Sequence, residues 1–315
     1  MCTSIRFDDN QGNLYFGRNL DWSTTFGQKI VITPRGYKYQ TAFLGENANS
    51  PAVIGMGIVA ENVPLYFDCV NENGLAIAGL NFPGYAKYEN SPIEDKINVA
   101  AYEFPLFLAL NFSTVDEVEK ALKDIAIVAK PIKEQYPVSQ LHWLIGDAKR
   151  SIVVEYTDRG MEVFRNDVDV LTNQPGYNWH KENLRNYLNL FSQMPKEVKW
   201  GKATMVPLGA GALTCGLPGG SYPADRFVRA AYLNTHYPLK TTEEDNVSRL
   251  FHTLAGVAMI EGGAAMADGT FEKTIYTSGY SARTKTYYYN TYEDPTIKSV
   301  AMESKDLNSS DLIVQ

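Results

Sequence analysis

Short apolar stretches separated by turn-forming residues dominate the first 80 residues of the chain. Each stretch is too short for a typical helix and is rich in β-branched or aromatic residues, which is characteristic of strands. The segments DDNQGN at 8–13 and NENG at 71–74 interrupt them, as the turns of hairpins do. The pattern predicts six strands, at residues 2–7, 14–19, 29–33, 53–59, 65–70 and 75–80.

Helical periodicity follows, where apolar residues from Val115 to Ile125 recur at the spacing of one helix face. Ser113 and Asp116 precede them in a capping-box pattern, which marks the start of a helix. Four further helices are predicted: at 99–110, where Pro105 interrupts the pattern, at 178–191, from Pro223 onwards and at 243–260.

A second group of strand-like stretches lies between and after these helices. Its members are residues 141–145, 151–156, 161–165, 168–171, 274–278 and 285–291. Two groups of strands with helices between them predict an α+β fold in which helices cover two sheets. No linker-like run, internal repeat or low-complexity tract divides the chain, so residues 1–315 are predicted to form one domain.

The composition excludes several classes of protein. The 29 Lys and Arg residues against 36 Asp and Glu residues leave a net charge of -7, without the basic patch of a nucleic-acid binder. No apolar run approaches the roughly 20 residues that span a bilayer, and no signal segment opens the chain. The 3 cysteines are a poor disulfide framework. We therefore expect a cytoplasmic protein without a nucleic-acid or membrane partner.

Cys2 lies at the start of the first predicted hairpin. With the turn at 8–13, paired positions sum to about 20–22, which places Cys2 across from residues 18–20 in the segment RNLD. Arg18 is therefore predicted to lie close to the amino terminus, and Asp21 at most a residue or so beyond it. This proximity follows from the hairpin alone.

A small residue at position 2 also allows removal of Met1, which would leave Cys2 with a thiol and a free α-amine. Ordinary pKa values are near 8.5 for a thiol and near 8 for an α-amine, so the neutral amine can act as general base for the thiol. Arg18 would favour the thiolate, and Asp21 could orient the amine. On these residues alone, a plain strand cysteine beside a surface ion pair is an equally good interpretation.

The segments MCTSIRF and YFGRNLDW resemble the start of the choloylglycine hydrolases, which include bile salt hydrolases and penicillin V acylases. Other segments resemble the same family in the same order: NENGLAIAGLNFPG at 71–84, LHWLIGD at 141–147, VLTNQP at 170–175, LPGGSYPADRFVRAAY at 217–232 and SGYSARTKTYYYNTY at 278–292. The resemblance covers nearly the whole chain. It implies the N-terminal nucleophile (Ntn) hydrolase fold, a four-layer αββα sandwich of two antiparallel sheets.

The resemblance also implies catalytic roles for the first hairpin. Cys2 would be the nucleophile and its own amine the base once Met1 is removed, while Arg18 and Asp21 match the family's catalytic arginine and aspartate. Such a site needs no metal and no cofactor, and nothing in the sequence has the spacing of metal ligands.

Three residues distant in sequence match further family positions. Asn173 matches an asparagine whose side-chain amide donates to the oxyanion, and Asn81 matches a second position at that oxyanion hole. Arg226 matches the remaining family arginine. Taken singly, Asn173 and Asn81 could equally be turn residues close to a proline, which is a common place for asparagine.

An apolar pocket for the acyl group is implied as well. Leu20 and Phe26 match pocket positions of the family, Tyr66 and Phe82 are further candidates, and Asn81 borders the same region. Any of the four apolar residues could instead belong to the core.

The predicted function is hydrolysis of glycine- or taurine-conjugated bile acids through a thioester on Cys2. Penicillin V acylase is the alternative within the family, and Asn81 argues against it because those acylases commonly carry tyrosine there. The sequence is also compatible with transfer of the acyl group to an amino acid, and with a non-enzymatic ligand carrier that kept the fold. Because the family commonly forms homotetramers, the resemblance also implies that residues 192–220 extend between subunits.

Overall fold

The computed structural model describes residues 1–47, 50–134 and 136–315. The strands are β1 (Cys2–Asp8), β2 (Leu14–Trp22), β3 (Lys29–Thr33), β4 (Val53–Ala60), β5 (Val63–Asn71), β6 (Ala76–Asn81), β7 (Ile97–Ala100), β8 (Ile125–Val128), β9 (Leu141–Gly146), β10 (Ser151–Thr157), β11 (Gly160–Asn166), β12 (Val170–Leu171), β13 (Val198–Trp200), β14 (Ala203–Met205), β15 (Lys273–Ser281), β16 (Thr286–Thr291), β17 (Lys298–Ala301) and β18 (Ile313–Val314). The helices are α1 (Phe104–Asn111), α2 (Val115–Leu122), α3 (Tyr177–Asn183), α4 (Pro223–His236) and α5 (Glu243–Ala255). Short 3₁₀ helices lie at Leu184–Tyr187, Ala212–Thr214 and Met302–Ser304.

Two antiparallel sheets form the centre of the molecule. The first has six strands in the order β12-β1-β2-β15-β16-β17, and the second has eight in the order β11-β10-β9-β6-β5-β4-β3-β18. The pair β13–β14 is a separate antiparallel hairpin, and β7 runs parallel to β8 as a second small pair. The amino-terminal hairpin β1–β2 therefore lies inside the six-stranded sheet, with β15 on its other side.

Helices cover the outer face of each sheet. Helices α4 and α5 pack on the six-stranded sheet, and α1 packs on β4, β5 and β6 of the eight-stranded sheet. One apolar core joins the facing sheets with α4 and α5, and a second lies between the eight-stranded sheet, α1 and α2. This order of layers, α, β, β and α, is the predicted α+β sandwich.

A pair of glycines allows α5 to lie close behind the first hairpin. Gly17 on β2 is directly opposite Gly279 on β15. A Cβ at Gly17 would lie 2.4 Å from the carbonyl oxygen of Ser278, and one at Gly279 would lie 2.7 Å from a methyl group of Leu250 on α5. Both distances are far below van der Waals contact. Glycine is therefore required where the helix packs behind β2.

Two predictions in the middle of the chain were wrong in detail. The stretch predicted as a helix over 99–110 begins as strand β7, and helix α1 starts only at Phe104, with Pro105 in its first turn. Proline is tolerated there because the first backbone N–H groups of a helix have no partner within it. Ile125 was assigned to the next helix but begins β8.

Helix ends were also misplaced. The capping box at α2 uses Thr114 and Glu117, one residue later than predicted. Helix α5 ends at Ala255, where Gly256 follows, so the predicted helix over 243–260 is too long. The stretch 178–191 holds only α3 and one 3₁₀ turn, and the strand predicted over 168–171 shortens to Val170–Leu171.

Candidate active site

The first hairpin brings Cys2 and Arg18 to one face of the six-stranded sheet. Cys2 pairs with Leu20, and Ser4 pairs with Arg18. Side chains at positions separated by two residues share a face, so the thiol and the guanidinium both point towards the other sheet. The Nη2 atom of Arg18 donates a hydrogen bond to Cys2 Sγ at 2.7 Å. The pairing falls within the range of 18–20 expected from the turn.

Arg18 is completely buried and is held by the opposite sheet. Its Nη1 atom donates to the carbonyl oxygens of Phe67 at 2.9 Å and Gly79 at 2.8 Å. Burial by itself lowers the pKa of Arg18, but the neighbouring Cys2, Tyr276 and two carboxylates raise it above its ordinary value. The guanidinium is therefore a fixed positive charge beside the sulfur, and such a charge favours the thiolate.

Asp21 points to the opposite face of the same strand, towards the helices. Its Oδ1 accepts a hydrogen bond from the hydroxyl of Thr274 at 2.6 Å. Within the described part of the chain, its Oδ2 is buried without a hydrogen-bond partner, 3.9 Å from a guanidinium nitrogen of Arg226. A buried carboxylate oxygen without a donor is costly. Asp21 thus offers a free acceptor close to the amino terminus.

Met1 lies against this group in the unprocessed chain. Its terminal amine donates to the backbone oxygen of Asp21 at 2.6 Å and forms an ion pair with Glu272 at 3.1 Å. The backbone nitrogen of Cys2 is then a peptide N–H, and it donates to Asn173 Oδ1 at 2.7 Å. Removal of Met1 would turn that same nitrogen into an amine.

Asn173 connects β1 with the end of β6. Its Oδ1 also accepts from Nη2 of Arg226 at 2.8 Å, and its Nδ2 donates to the backbone oxygen of Asn81 at 2.7 Å. An amide nitrogen carries two N–H groups, so one remains for another acceptor. Asn173 and Asn81, which are 92 residues apart, thus lie side by side next to Cys2.

Arg226 on α4 fixes the strand that carries the cysteine. Its Nη1 donates to the carbonyl oxygen of Cys2 and to the hydroxyl of Thr3, both at 2.6 Å, and its Nε donates to the carbonyl oxygen of Ser221 at 2.9 Å. Burial lowers the pKa of Arg226, while Asp21 opposes that effect. Arg226 contacts the backbone around Cys2, and Arg18 contacts its sulfur.

Two buried histidines lie behind Asn173, and no sequence motif predicted a role for them. His180 Nε2 donates to the backbone oxygen of Asn173 at 2.9 Å, and His142 Nε2 donates to that of Thr172 at 2.8 Å. Burial lowers the pKa of His180 to about 4. No local pattern marks these histidines, because each reaches its acceptor from a different element of the fold.

An apolar cavity of about 420 Å³ is lined by a residue that contacts Arg18. Phe67 lines the cavity with its side chain and accepts from Arg18 with its carbonyl oxygen. Phe26 and Tyr66 also line it, and the rings of Phe26 and Phe67 lie 5.4 Å apart. Its other lining residues come from β4, β5, the segment leading into α1 and the loop before β9; they include Ile58, Leu65, Tyr102, Ile132 and Val138.

Three of the predicted substrate-binding residues, Leu20, Asn81 and Phe82, are not among the described residues that line this cavity. Leu20 is buried in the core beside Cys2. Phe82 is fully buried, and its ring stacks on His142 with centroids 4.1 Å apart. Asn81 contributes its backbone oxygen to Asn173. The pocket roles of Leu20 and Phe82 remain predictions; Phe82 lines a different cavity, together with Tyr85, Glu155 and Trp179.

The described residues contain no cluster of three or more His, Cys, Asp or Glu side chains that could hold a metal ion. Among the described helices, none combines the length and the apolar character needed to cross a bilayer.

A family model described as linear amide C-N hydrolases, choloylglycine hydrolase family, matches residues 2–315. The chain belongs to this family. The resemblance stated from the sequence segments is therefore confirmed, and with it the enzyme class, a hydrolase of linear amide C–N bonds.

Relatives in this family have names that refer to bile salts. A bile salt hydrolase/transferase of Bifidobacterium longum is 55% identical over 314 residues, covering 99% of each chain. A conjugated bile acid hydrolase of Lactobacillus gasseri is 46% identical, also over 99% of each chain. A penicillin V acylase of Pectobacterium atrosepticum is more distant, with 29% identity over 73% of this chain and 59% of its own length.

Solved structures agree with the fold. The C2A mutant of the conjugated bile acid hydrolase from Clostridium perfringens matches with a TM-score of 0.93 and 37% identity, covering 100% of this chain and 96% of the other. The R18L variant of the same hydrolase gives the same values. The predicted α+β fold with two facing antiparallel sheets is confirmed by these matches and by the strand order.

Proposed function

We propose that this protein hydrolyses the amide bond of conjugated bile acids, with Cys2 as the nucleophile. The observation that carries the proposal is the position of Cys2 Sγ, 2.7 Å from the buried Arg18 guanidinium. Phe67, whose carbonyl oxygen accepts from that guanidinium, also lines an apolar cavity. An apolar cavity in this part of the molecule suits a substrate with a large apolar acyl group joined to an amine. The relatives named for bile salts support the same substrate class.

Removal of Met1 completes the proposed machinery. The α-amine of Cys2 then takes a proton from its own thiol, a reaction available to an N-terminal nucleophile whose base lies on the same residue. Asp21 Oδ2, which is buried without a hydrogen-bond partner among the described residues, is a ready acceptor for the resulting ammonium. Arg18 stabilises the negative charge left on the sulfur.

The reaction proceeds in two halves. The thiolate attacks the carbonyl carbon of the amide, and the negative charge moves to the carbonyl oxygen. The ammonium of Cys2 gives its proton to the leaving nitrogen, the C–N bond breaks, and a thioester and a free amine result. Water then attacks the thioester, the α-amine takes its proton, and the C–S bond breaks to release the acid and restore the thiol.

Asn173 is the proposed donor to the oxyanion. Its Nδ2 has one N–H on the carbonyl oxygen of Asn81 and a second available for the substrate oxygen. A donor preorganised where negative charge develops contributes about 3 kcal/mol to transition-state stabilisation. Asn81 contributes to the same hole by holding Asn173 with its backbone, and Arg226 holds the other end of that amide at 2.8 Å.

Two competing functions are less well supported than bile salt hydrolysis, and a third shares its mechanism. Bile salts are favoured over penicillin V because the relatives named for bile salts are more similar to this chain over its whole length. A ligand carrier has no need for the contact between Arg18 and Cys2. Transfer to an amino acid shares the same thioester and differs only in whether water or an amine attacks it.

The proposal is tested by measuring release of glycine, taurine and 6-aminopenicillanic acid from glycocholate, taurocholate and penicillin V. We expect the wild type to hydrolyse the two bile salts faster than penicillin V, and Cys2→Ala to have no activity on any of them. Intact-mass measurement should show loss of Met1. Full activity of Cys2→Ala, or an active protein that retains Met1, would contradict the mechanism.

Added amino acids distinguish hydrolysis from transfer. Free bile acid as the sole product at every amino-acid concentration would exclude the transferase reaction, whereas a new conjugate would establish it. Binding of glycocholate without release of glycine would instead identify a carrier.

The domain, assembly and compartment are part of the same proposal. We propose that residues 1–315 form one domain; the core shared by the two sheets, α4 and α5 supports this. Residues 192–220 carry contacts between the subunits of a homotetramer: several apolar side chains are exposed there, among them Trp200 at 73% and Val206 at 65%. Light scattering of Trp200→Ser, compared with wild type, tests this.

Three unpaired cysteines support a cytoplasmic location, which cell fractionation tests.

A further inference from the structure

A buried carboxylate lies between the two sheets close to the proposed nucleophile. Asp68 on β5 of the eight-stranded sheet is 4% exposed. It accepts hydrogen bonds from three hydroxyl groups of the six-stranded sheet: Tyr276 at 2.7 Å, Ser278 at 3.1 Å and Tyr287 at 2.5 Å. Three donors to two carboxylate oxygens compensate for the loss of water around an ionised group.

Asp68 interacts electrostatically with the same arginine that contacts Cys2. Burial raises the pKa of Asp68, and the charge of Arg18 opposes that effect. Arg18 also donates to the carbonyl oxygen of Phe67, the residue before Asp68. The Tyr276 ring, whose hydroxyl donates to Asp68, lies 6.0 Å from the guanidinium carbon. One buried cation therefore interacts with the Asp68 carboxylate and the Cys2 sulfur, and also with the carboxylate of Asp21.

Sharing a cation has a chemical consequence at this site. The ordinary pKa values of a thiol and an α-amine differ by less than one unit, so a modest change in the local field decides which of them holds the proton. A guanidinium facing the sulfur alone would stabilise the thiolate strongly and make it a weaker nucleophile. A carboxylate that interacts with the same guanidinium limits this stabilisation of the thiolate. The exchange of the proton between the sulfur and the amine of Cys2 then stays nearly balanced.

We propose that Asp68 is a positioning residue that shares Arg18 with Cys2 and thereby sets how far the Cys2 thiol ionises. The inference rests on the proposed role of Cys2 as nucleophile. The titratable and charged groups that face Asp68 are Arg18 on β2, Tyr276 on β15 and Tyr287 on β16. Both tyrosines have pKa values raised far above their ordinary range by burial, so Arg18 is the charged partner of Asp68. The other charges near Arg18 and Cys2 are Asp21 on β2 and Arg226 on α4, and Asp68→Asn leaves both in place.

The test measures alkylation of Cys2 by iodoacetamide as a function of pH, read from the mass of the amino-terminal peptide of the Met1-processed protein. A Cys215→Ser background removes the exposed thiol. In Asp68→Asn, we expect the midpoint of the profile to fall by about one pH unit, because Arg18 then acts on the sulfur alone. Tyr287→Phe removes one donor to Asp68 and should move the midpoint in the same direction by a smaller amount.

Tyr280→Phe is the matched control. Tyr280 is also a buried tyrosine of the six-stranded sheet, but within the described part of the chain its hydroxyl has no hydrogen-bond partner. Its removal should leave the midpoint unchanged. If Asp68→Asn does not fold, Tyr287→Phe against Tyr280→Phe gives the same answer.

A purely structural role for Asp68 predicts a different result. It would lower the melting temperature of Asp68→Asn and Tyr287→Phe while leaving both midpoints at the wild-type value, and that result would overturn the inference. Failure of the proposed function is separate, since full hydrolytic activity of Cys2→Ala would refute the nucleophile whatever the alkylation profiles show.

Discussion

The molecule contains two buried cysteines in two different cores, and their surroundings differ in charge. Cys2 lies between the sheets with the guanidinium of Arg18 at 2.7 Å from its sulfur. Cys69 lies between the eight-stranded sheet and α1, is fully buried, and has the carbonyl oxygen of Pro105 at 3.8 Å. Burial raises the pKa of the Cys69 thiol well above its ordinary value, and the charge of Asp68 adds to that effect.

The difference shows that burial alone makes a thiol inert. Without a cation, an apolar environment favours the neutral S–H, as at Cys69. The surroundings of Cys2 differ from this in two ways. A buried guanidinium lies within hydrogen-bond distance of its sulfur, and Phe67, whose carbonyl oxygen accepts from that guanidinium, lines an apolar cavity.

The largest expected effect comes from making the surroundings of Cys2 (the first region) resemble those of Cys69 (the second region). Arg18→Leu removes the cation and its hydrogen bond to Cys2 Sγ, so the negative charge that forms on the sulfur during attack loses its stabilising partner. We expect kcat/KM for a conjugated bile acid to fall by about 100-fold or more, together with the rate of alkylation by iodoacetamide. Steady-state kinetics and amino-terminal peptide mapping measure the two quantities.

Arg249→Leu is the control for losing a buried arginine. Arg249 lies on α5 with its guanidinium 3.8 Å from the centre of the Phe7 ring, and it does not contact Cys2. Its loss should lower the melting temperature and leave the activity of the folded enzyme near the wild-type level. Unchanged alkylation of Cys2 in Arg18→Leu would contradict the proposed role of the cation.

A smaller effect is expected from removing a buried amide in each region. Asn173→Ala deletes the proposed oxyanion donor, so kcat should fall by about 100-fold with a much smaller change in KM. Asn71→Ala is its counterpart in the second region, where the amide donates to the carbonyl oxygens of Ala109 at 2.8 Å and Phe112 at 2.7 Å. It should cost stability and spare kcat; equal losses of kcat in the two variants would argue against an oxyanion role.

The smallest effect concerns a buried carboxylate of the second region. Burial raises the pKa of Glu103 to about 7, from 4.5 in the unfolded chain. The stability associated with its protonated form is therefore present below pH 4.5 and is lost as the pH rises through 7. Relative to wild type, Glu103→Gln should gain about 1–2 kcal/mol of unfolding free energy between pH 5 and pH 8.

Urea unfolding at both pH values checks this prediction, with Glu94→Gln as an exposed control. The same stability difference between Glu103→Gln and wild type at pH 5 and pH 8 would show that Glu103 ionises in the folded protein as it does in the unfolded one.

Much of the fold could be predicted because its strands are short, apolar and bounded by clear turns. Helix ends were less accurate. Pro105 was taken to interrupt a helix, whereas it lies in the first turn of one, and the residues before it pair with β8 through contacts that periodicity does not reveal. The helix expected over 178–191 shortened because a few apolar residues in a polar stretch do not establish a helix when packing decides otherwise.

The candidate site, like the fold, could be predicted only in part. The contact between Arg18 and Cys2 follows from a local hairpin, and Asn173, Asn81 and Arg226 were identified by family resemblance alone. Neither the hairpin nor the family resemblance identified the support given by His180 and His142. Leu20 and Phe82 were predicted to line the acyl pocket, but they are not among the described residues that line the apolar cavity. Long-range packing decides each of these positions.

The sequence by itself determined that Cys2 lies beside Arg18, because a short turn sets the register of two adjacent strands and alternation puts both side chains on one face. Only the tertiary structure decided what that face meets. The second sheet supplies the carbonyl oxygens that hold Arg18, the carboxylate of Asp68 and the wall of the cavity, and α4 brings Arg226 to the backbone of Cys2. These contacts join residues distant in sequence, so they depend on how the sheets and helices pack.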